Sequence, residues 1–383
     1  MQVKNNKTVP IELYIHIPFC AKKCDYCDFL SWPAGDTAQK AYVEALLSEI
    51  RGIPQEERAG REVVSVFIGG GTPSLIEASD VERILETLRK LFSFSADTEI
   101  TIEANPGTLT REKLKVYRRA GINRLSIGLQ SAENRELEML GRIHTWQDFL
   151  ESYQEARDTG FANINVDLMF AVPGQTYEKW ISSLRTAAAL KPEHISAYSL
   201  IIEPGTPFAE RELDLPDEDT EYRMYEDTAA VLEEYGFGQY EISNYARKGY
   251  RCRHNIGYWN RTEYLGIGLG ASSFFGEKRF RNTEKMEEYL RYSGCPERIR
   301  RDIVRLTLIE QEEEFMYLGL RMTEGIREEE FKRQFGTDLK TVYGEVLEKY
   351  RGMGFLEKNG DFWRLSRKGI HVSNWILADF LQE

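Results

Sequence analysis

Three cysteines stand close together in the run Tyr14-Ile15-His16-Ile17-Pro18-Phe19-Cys20-Ala21-Lys22-Lys23-Cys24-Asp25-Tyr26-Cys27-Asp28-Phe29. Gaps of three and then two residues let one loop turn all three thiolates onto a single soft-metal centre. Structural zinc sites and most electron-transfer clusters complete their shell with a fourth Cys or His. With only three protein ligands, a four-iron cubane keeps one iron for a small molecule, and such a site binds or reacts. A zinc reading would need His16, Cys252 or His254 as fourth ligand, and the run lacks the two separated Cys pairs usual in zinc modules. A disulfide framework fits worse. Five cysteines in 383 residues, with no apolar, positively flanked leader, point to a reducing, cytoplasmic compartment.

A loop of this kind needs rigid elements to aim it. Runs rich in β-formers at 12–17, 63–68, 99–102, 124–127, 163–168 and 194–200 alternate with amphipathic helical patterns such as 38–51, 79–91 and 176–190, the last stopped by Pro192. That order predicts an α/β fold with a parallel sheet. Six units in about 200 residues suit an incomplete (β/α)6 relative of the eightfold barrel, in which chemistry gathers at the C-terminal strand ends. The first strand runs into Cys20, the second into Gly69-Gly70-Gly71-Thr72-Pro73, and the third into Glu103-Ala104-Asn105-Pro106. The fourth ends near Gln130 and the fifth near Asp167. Glycines permit close backbone approach. Glu103 and Asp167 suit hydroxyls or an ammonium, while Gln130 and Arg142 suit a carboxylate. Each taken singly reads first as a turn, cap or surface residue rather than a ligand; the signal is their convergence on one rim.

The cysteine spacing, with His16-Ile17-Pro18-Phe19 ahead of it and Tyr26 just before Cys27, resembles the radical S-adenosylmethionine (SAM) enzymes, nearest the branch of oxygen-independent coproporphyrinogen III dehydrogenases and their relatives. The resemblance implies a radical SAM barrel in which Cys20, Cys24 and Cys27 hold a 4Fe-4S cluster and SAM chelates the fourth iron. An electron donor such as flavodoxin or ferredoxin would reduce the cluster, splitting SAM to methionine and a 5′-deoxyadenosyl radical. It implies cofactor contacts at Tyr14, Tyr26, Phe29, Gly70, Gly71, Thr72, Glu103, Gln130, Arg142 and Asp167. Tyr14 and His16 share one side of their strand, either beside the cluster or packed inside the barrel with their polar tips satisfied.

Phe29 stands where the dehydrogenases typically carry a fourth Cys, and the first strand begins near residue 12, without their longer lead-in. In both respects the chain is more similar to the HemW branch, whose members bind heme and are regarded as heme chaperones supplying apo-hemoproteins. The segment Arg253-His254-Asn255-Ile256-Gly257-Tyr258-Trp259, followed by Gly266-Ile267-Gly268-Leu269-Gly270-Ala271, resembles that branch's His-Asn-x-x-Tyr-Trp signature. The resemblance implies heme ligation by His254, with Tyr258 and Trp259 as flat faces and Cys252 as a weaker thiolate candidate. From the residues alone, a His beside Arg and aromatics is more often a hydrogen-bonded structural group. The rival functions are a coproporphyrinogen III dehydrogenase, a porphyrin-directed radical SAM methyltransferase, and a zinc-stabilised adaptor.

Hydrophobic residues at 42% and aromatics at 12% can fill a sizeable core, and the length calls for two domains, drawn at 1–275 and 276–383. No apolar run is long enough to span a bilayer, which leaves only peripheral membrane contact. A net charge of −12 argues against nucleic-acid binding. Helical patterns at 313–322, 327–335 and 338–353, then a hairpin at 355–365 turning on Asn359-Gly360, suggest a smaller, winged-helix-like C-terminal domain. With 13 Lys/Arg against 16 Asp/Glu over 301–383, that domain reads as a lid or docking module rather than a DNA reader. Cys295 suggests no role.

Overall fold

The computed structural model describes residues 8–381. Its frame is six strands, β1 (Val9–Ile17), β2 (Arg61–Gly70), β3 (Ser93–Ala104), β4 (Arg124–Gln130), β5 (Ile164–Phe170) and β6 (His194–Ser199). They lie in chain order and pair in parallel throughout. Successive side chains of a strand point to opposite faces, and here the two faces are chemically distinct. Leu13, Ile15, Ile17, Val66, Ile68, Ile100, Ile102, Leu125, Ile127, Leu129, Ile164, Val166, Leu168, Ile195 and Ala197 occupy one face, none more than 3% exposed. They pack in one core with apolar residues of the helices Asp36–Gly52, Ala78–Leu91, Arg111–Arg119, Trp146–Asp158 and Tyr177–Ala189. The alternate positions, among them Glu12, Tyr14, Phe67, Glu103, Arg124, Ser126, Asn165, Asp167, Ser196 and Tyr198, carry polar or aromatic groups.

The sheet does not close into a barrel. Beyond β1 it continues through the parallel β9 (Tyr264–Ile267) and the antiparallel β10 (Ser272–Phe275), β11 (Lys278–Asn282) and β12 (Arg300–Arg305). Beyond β6 it continues through the antiparallel β8 (Asn244–Ala246) and β7 (Gly238–Gln239). The six parallel units were readable from sequence. The additional strands are two to six residues long, too short for periodicity to reveal them.

The sheet runs to Arg305, and Phe280, Tyr289 and Ile299 join the first core. Residues 276–305, grouped by their charged texture with the C-terminal domain, therefore continue the first unit. β12 is an edge strand reading Arg-Arg-Asp-Ile-Val-Arg and is largely exposed, which is why it lacks a strand's usual pattern. A second core gathers Phe315, Phe331, Tyr343, Tyr350, Trp363 and Phe380. Around it lie the helices Leu308–Gly319, Glu328–Phe335 and Leu339–Gly352, with a small antiparallel sheet of β13 (Ile326–Arg327), β14 (Leu356–Asn359) and β15 (Phe362–Leu365). Among the described residues no helix is long and apolar enough to cross a membrane.

An ion triad, with Glu314 and Arg261 buried and Arg279 partly exposed, joins the two units. Arg261 Nε donates to Glu314 Oε2 at 3.0 Å and Arg279 bonds the other oxygen of the same carboxylate. Removing the shared partner would leave two guanidiniums facing each other. Glu314→Ala is therefore expected to cost about 3–5 kcal/mol, read as a lower denaturation midpoint together with faster proteolysis between 305 and 308.

Candidate metal and cofactor site

After β1 the chain leaves the sheet as the cysteine loop, and protein contacts fasten both of its ends. Phe19 is buried edge-on against Trp32 and Tyr42. Trp32 N donates to Pro18 O at 3.0 Å, and Cys20 N donates to Trp32 O at 3.2 Å. Farther along, Asp25 N donates to Leu140 O (3.3 Å), and the Asp25 carboxylate accepts from Arg211 (2.7 Å). His16 holds the loop from beneath: Nε2 bonds Leu30 O at 2.9 Å, and Nδ1 pairs with the Tyr14 hydroxyl at 3.0 Å. Burial lowers its pKa. With both nitrogens engaged, His16 is the satisfied packing residue that its strand position allowed.

A cavity of about 370 Å3 opens at the strand ends, within the range of small-molecule sites. Cys20, Cys24, Tyr26, Cys27, Phe29, Gly70, Gly71, Glu103, Gln130, Arg142 and Asp167 all line it. Thr72 stands just behind, its Oγ1 3.6 Å from Cys20 Sγ. Asn105 Nδ2 donates to Thr72 Oγ1 (2.8 Å), and Arg142 Nη2 donates to Asn105 Oδ1 (2.6 Å) and Gly128 O (2.7 Å). Arg142 Nη1 reaches Cys24 Sγ at 3.6 Å. One polar chain thus ties two of the cysteines together and aims at each sulfur a donor that a metal-bound thiolate would accept from. Burial pushes the Cys27 thiol above its ordinary pKa, opposed by a hydrogen bond from the Phe29 backbone and reinforced by Cys24. A metal would reverse this by stabilising the thiolate. All three cysteines are free. Among the described residues no three His, Cys, Asp or Glu side chains surround a point where one ion could sit. Three free thiols on one cavity wall are the donor type that iron-sulfur centres take.

Gly70 has φ 114°, and a Cβ there would fall 2.5 Å from the His16 ring; at Gly71 it would fall 2.6 Å from Phe19 O. Only glycine lets β2 pass this close beneath the loop. Gln130 adopts φ 70° where the β4–β5 register slips, and such a bulge re-aims a side chain at a strand end. Glu103 Oε2 accepts from Gly70 N at 3.1 Å. Burial, with Asp167 nearby, pushes Glu103 up to about 8. Burial also raises Asp167, which accepts from Ser126 Oγ (2.9 Å) and Asn165 Nδ2 (2.8 Å). Two adjacent carboxyl groups lining the cavity are suited to an ammonium or to hydroxyls, which would favour their charged forms.

The helix Arg253–Trp259 lies elsewhere. His254 is 1% exposed and its ring stacks on Phe67. Nδ1 pairs with Ser65 Oγ at 2.8 Å, Nε2 pairs with the Tyr258 hydroxyl at 2.9 Å, and burial drives the pKa down to about 3. Neither nitrogen is open to an iron. Trp259 faces away, beneath the guanidinium of Arg321. The platform of His254, Tyr258 and Trp259 implied by the resemblance is thus not assembled. Residues 254 and 258 share a helix face, whereas 259 is rotated from 258 by about 100°. Cys252 is a buried thiol bonded to Glu99 Oε1 (3.5 Å) and pushed up by burial to about 12. Tyr14 likewise lines an inner chamber together with His254 and Tyr258, not the outer cavity.

Residues 14–187 match the radical SAM superfamily model, and residues 306–372 match the HemN C-terminal domain. Over 379 residues the chain is 37% identical to the heme chaperone HemW of Bacillus subtilis, covering 97% of this chain and 99% of that one. Over 381 residues it is 37% identical to the Escherichia coli protein of the same name, covering 98% and 100%. The chain belongs to the HemW family of radical SAM proteins. Among solved structures, coproporphyrinogen III oxidase (HemN) from E. coli superposes with a TM-score of 0.86 at 24% identity, covering 99% of this chain and 92% of that one; the likeness is one of fold.

In this HemW-family cavity, sequence reasoning passed over Asn105, Ser126 and Tyr198. Asn105 lay inside the segment read as the third strand's end. Ser126 and Tyr198 were within reach of the two-residue period, since each shares a face with a residue already singled out, Gln130 for Ser126, or with a neighbour of Asp167.

Unfolded Glu103 titrates near its ordinary 4.5 and folded Glu103 near 8. Between these values the native state keeps a proton that the unfolded chain releases, so stability falls as pH rises through the interval, by at most about 1.4 kcal/mol per unit. Denaturation at about pH 5.5 and about pH 7.5 should show wild type losing more stability than Glu103→Gln. Parallel losses would mean that Glu103 is not held protonated.

Proposed function

We propose that this protein binds heme and hands it to apo-hemoproteins in the cytoplasm, with Cys20, Cys24 and Cys27 holding a 4Fe-4S cluster and SAM bound at its open iron. The observation that carries the reading is one cavity joining three free thiols to a rim of cofactor-type polar groups. Full-length similarity to proteins named heme chaperone HemW supports the heme part. When bound, the cluster would supply one-electron reduction and a metal site for SAM, with flavodoxin or ferredoxin as electron source.

The chain's own residues divide the remaining work. Arg142 and Gln130 would hold a carboxylate, and Glu103 and Asp167 an ammonium and ribose hydroxyls. Gly70 and Gly71 let backbone groups approach the bound molecule. Thr72 and Arg142 would donate to the cluster's thiolates. At the mouth, Phe29 and Ile201 are 61% and 67% exposed, and two large apolar groups at a cavity rim suit a flat apolar ligand such as a porphyrin. His254 would reach a heme iron only by releasing Ser65 or Tyr258, so its ligation requires the helix Arg253–Trp259 to shift. The fourth cysteine that the dehydrogenases typically have is Phe29 here, which favours a carrier over a coproporphyrinogen III dehydrogenase.

Anaerobic reconstitution of Cys27→Ser should yield far less iron and acid-labile sulfide than wild type; equal yields would remove the cluster assignment. Hemin titration should show a Soret band with saturable binding, and the loaded protein should restore activity to an apo-hemoprotein faster than free hemin does. If His254→Ala binds hemin with unchanged affinity and spectrum, the rim binds heme without that imidazole.

A further inference from the structure

Beneath the cofactor cavity lies an inner chamber of about 200 Å3. It shares Glu103, Ser126, Asp167 and Tyr198 with the outer cavity, and so continues it inward. Arg124, the first residue of β4, lines the chamber at the strand end opposite Gln130. It is 1% exposed, and its Nε and Nη1 are buried without a hydrogen-bond partner. A guanidinium does not lose its proton in a protein, and a buried cation with unmet donors is costly to keep. The acids nearby, Glu99, Asp167 and Glu103, offset the charge of Arg124 through space while their hydrogen bonds go to other groups. Asp167 accepts from Ser126 and Asn165, Glu103 from Gly70 N, and Glu99 from the backbone of Arg253 and His254.

We infer that the inner chamber binds a carboxylate, gripped by Arg124 and completed by the hydroxyl and amide groups of the chamber wall. A planar guanidinium matches the two oxygens of a carboxylate; on the same wall stand Asn255, Ser196, which donates to Asn165 Oδ1 at 3.2 Å, and Tyr258, whose hydroxyl pairs with His254. Burial holds Glu103 largely protonated near neutral pH, which leaves the positive charge of Arg124 less compensated. The carboxylate comes either from an acidic arm of the heme proposed above, in which case the source rests on that reading, or from a free small acid.

The test uses the full-length protein with its cluster, probed by propionate and by propionamide, which has nearly the same shape without the charge. Calorimetry should show propionate binding at least about tenfold more tightly than propionamide, the order of one charge-assisted hydrogen bond. Arg124→Gln should abolish the preference, and Arg124→Lys, which keeps charge but loses the planar fork, should weaken it. Equal binding of the two probes overturns the inference, as does a preference retained in folded Arg124→Gln. Should Arg124→Gln fail to fold, the wild-type comparison decides alone. Hemin titrated against saturating propionate identifies the source. A raised apparent Kd assigns the chamber to a heme arm, and an unchanged one assigns it to a free acid. Hemin that does not bind at all sinks the heme reading while leaving the propionate result standing.

Discussion

Everything in this molecule depends on the two-residue period of six parallel strands. It lets one sheet be greasy on one side and polar on the other, so that the same residues that anchor the helices also point their neighbours inward. Leu125, Ile127 and Leu129 seal β4 against the helical layer, while Arg124, Ser126, Gly128 and Gln130 form a column running from the inner chamber to the mouth. A slip of one residue in any of these strands would exchange the two sets and destroy core and cavity together.

A polar interior is expensive, and the structure manages the expense by neutralising or pairing what it buries. Glu12 and Glu103 are pushed up to about 9 and about 8 by burial. His254 is held uncharged between two hydrogen-bond partners. Two exceptions stand where a ligand would meet the chain, the left-handed Gln130 and the unpaired donors of Arg124. Departures of this kind from local preference gather at functional sites.

Sequence carried the parallel frame and the site rim because both rest on short-range rules, namely residue spacing and the position of a strand's end. Cys20, Cys24, Cys27, Glu103, Gln130, Arg142 and Asp167 meet in one cavity for that reason. The outer strands could not be read the same way. β12 pairs with β11 across a bulge near Asp302, which takes a left-handed φ of 51°, and an exposed arginine-rich edge shows no alternation of burial. The role of His254 was equally hidden. Whether an imidazole is free or committed depends on Ser65, 189 positions away in the chain, and no local pattern encodes that partner.

The cysteine loop deserves comparison with small zinc modules, in which metal binding and folding are one event. Here Phe19 is wedged between Trp32 and Tyr42, the Pro18–Trp32 backbone pair shuts the base, and Asp25 is tethered to Leu140 and Arg211. None of these attachments involves sulfur. The footing of the loop on the rest of the protein is therefore independent of its thiols, which stay available to whatever they hold.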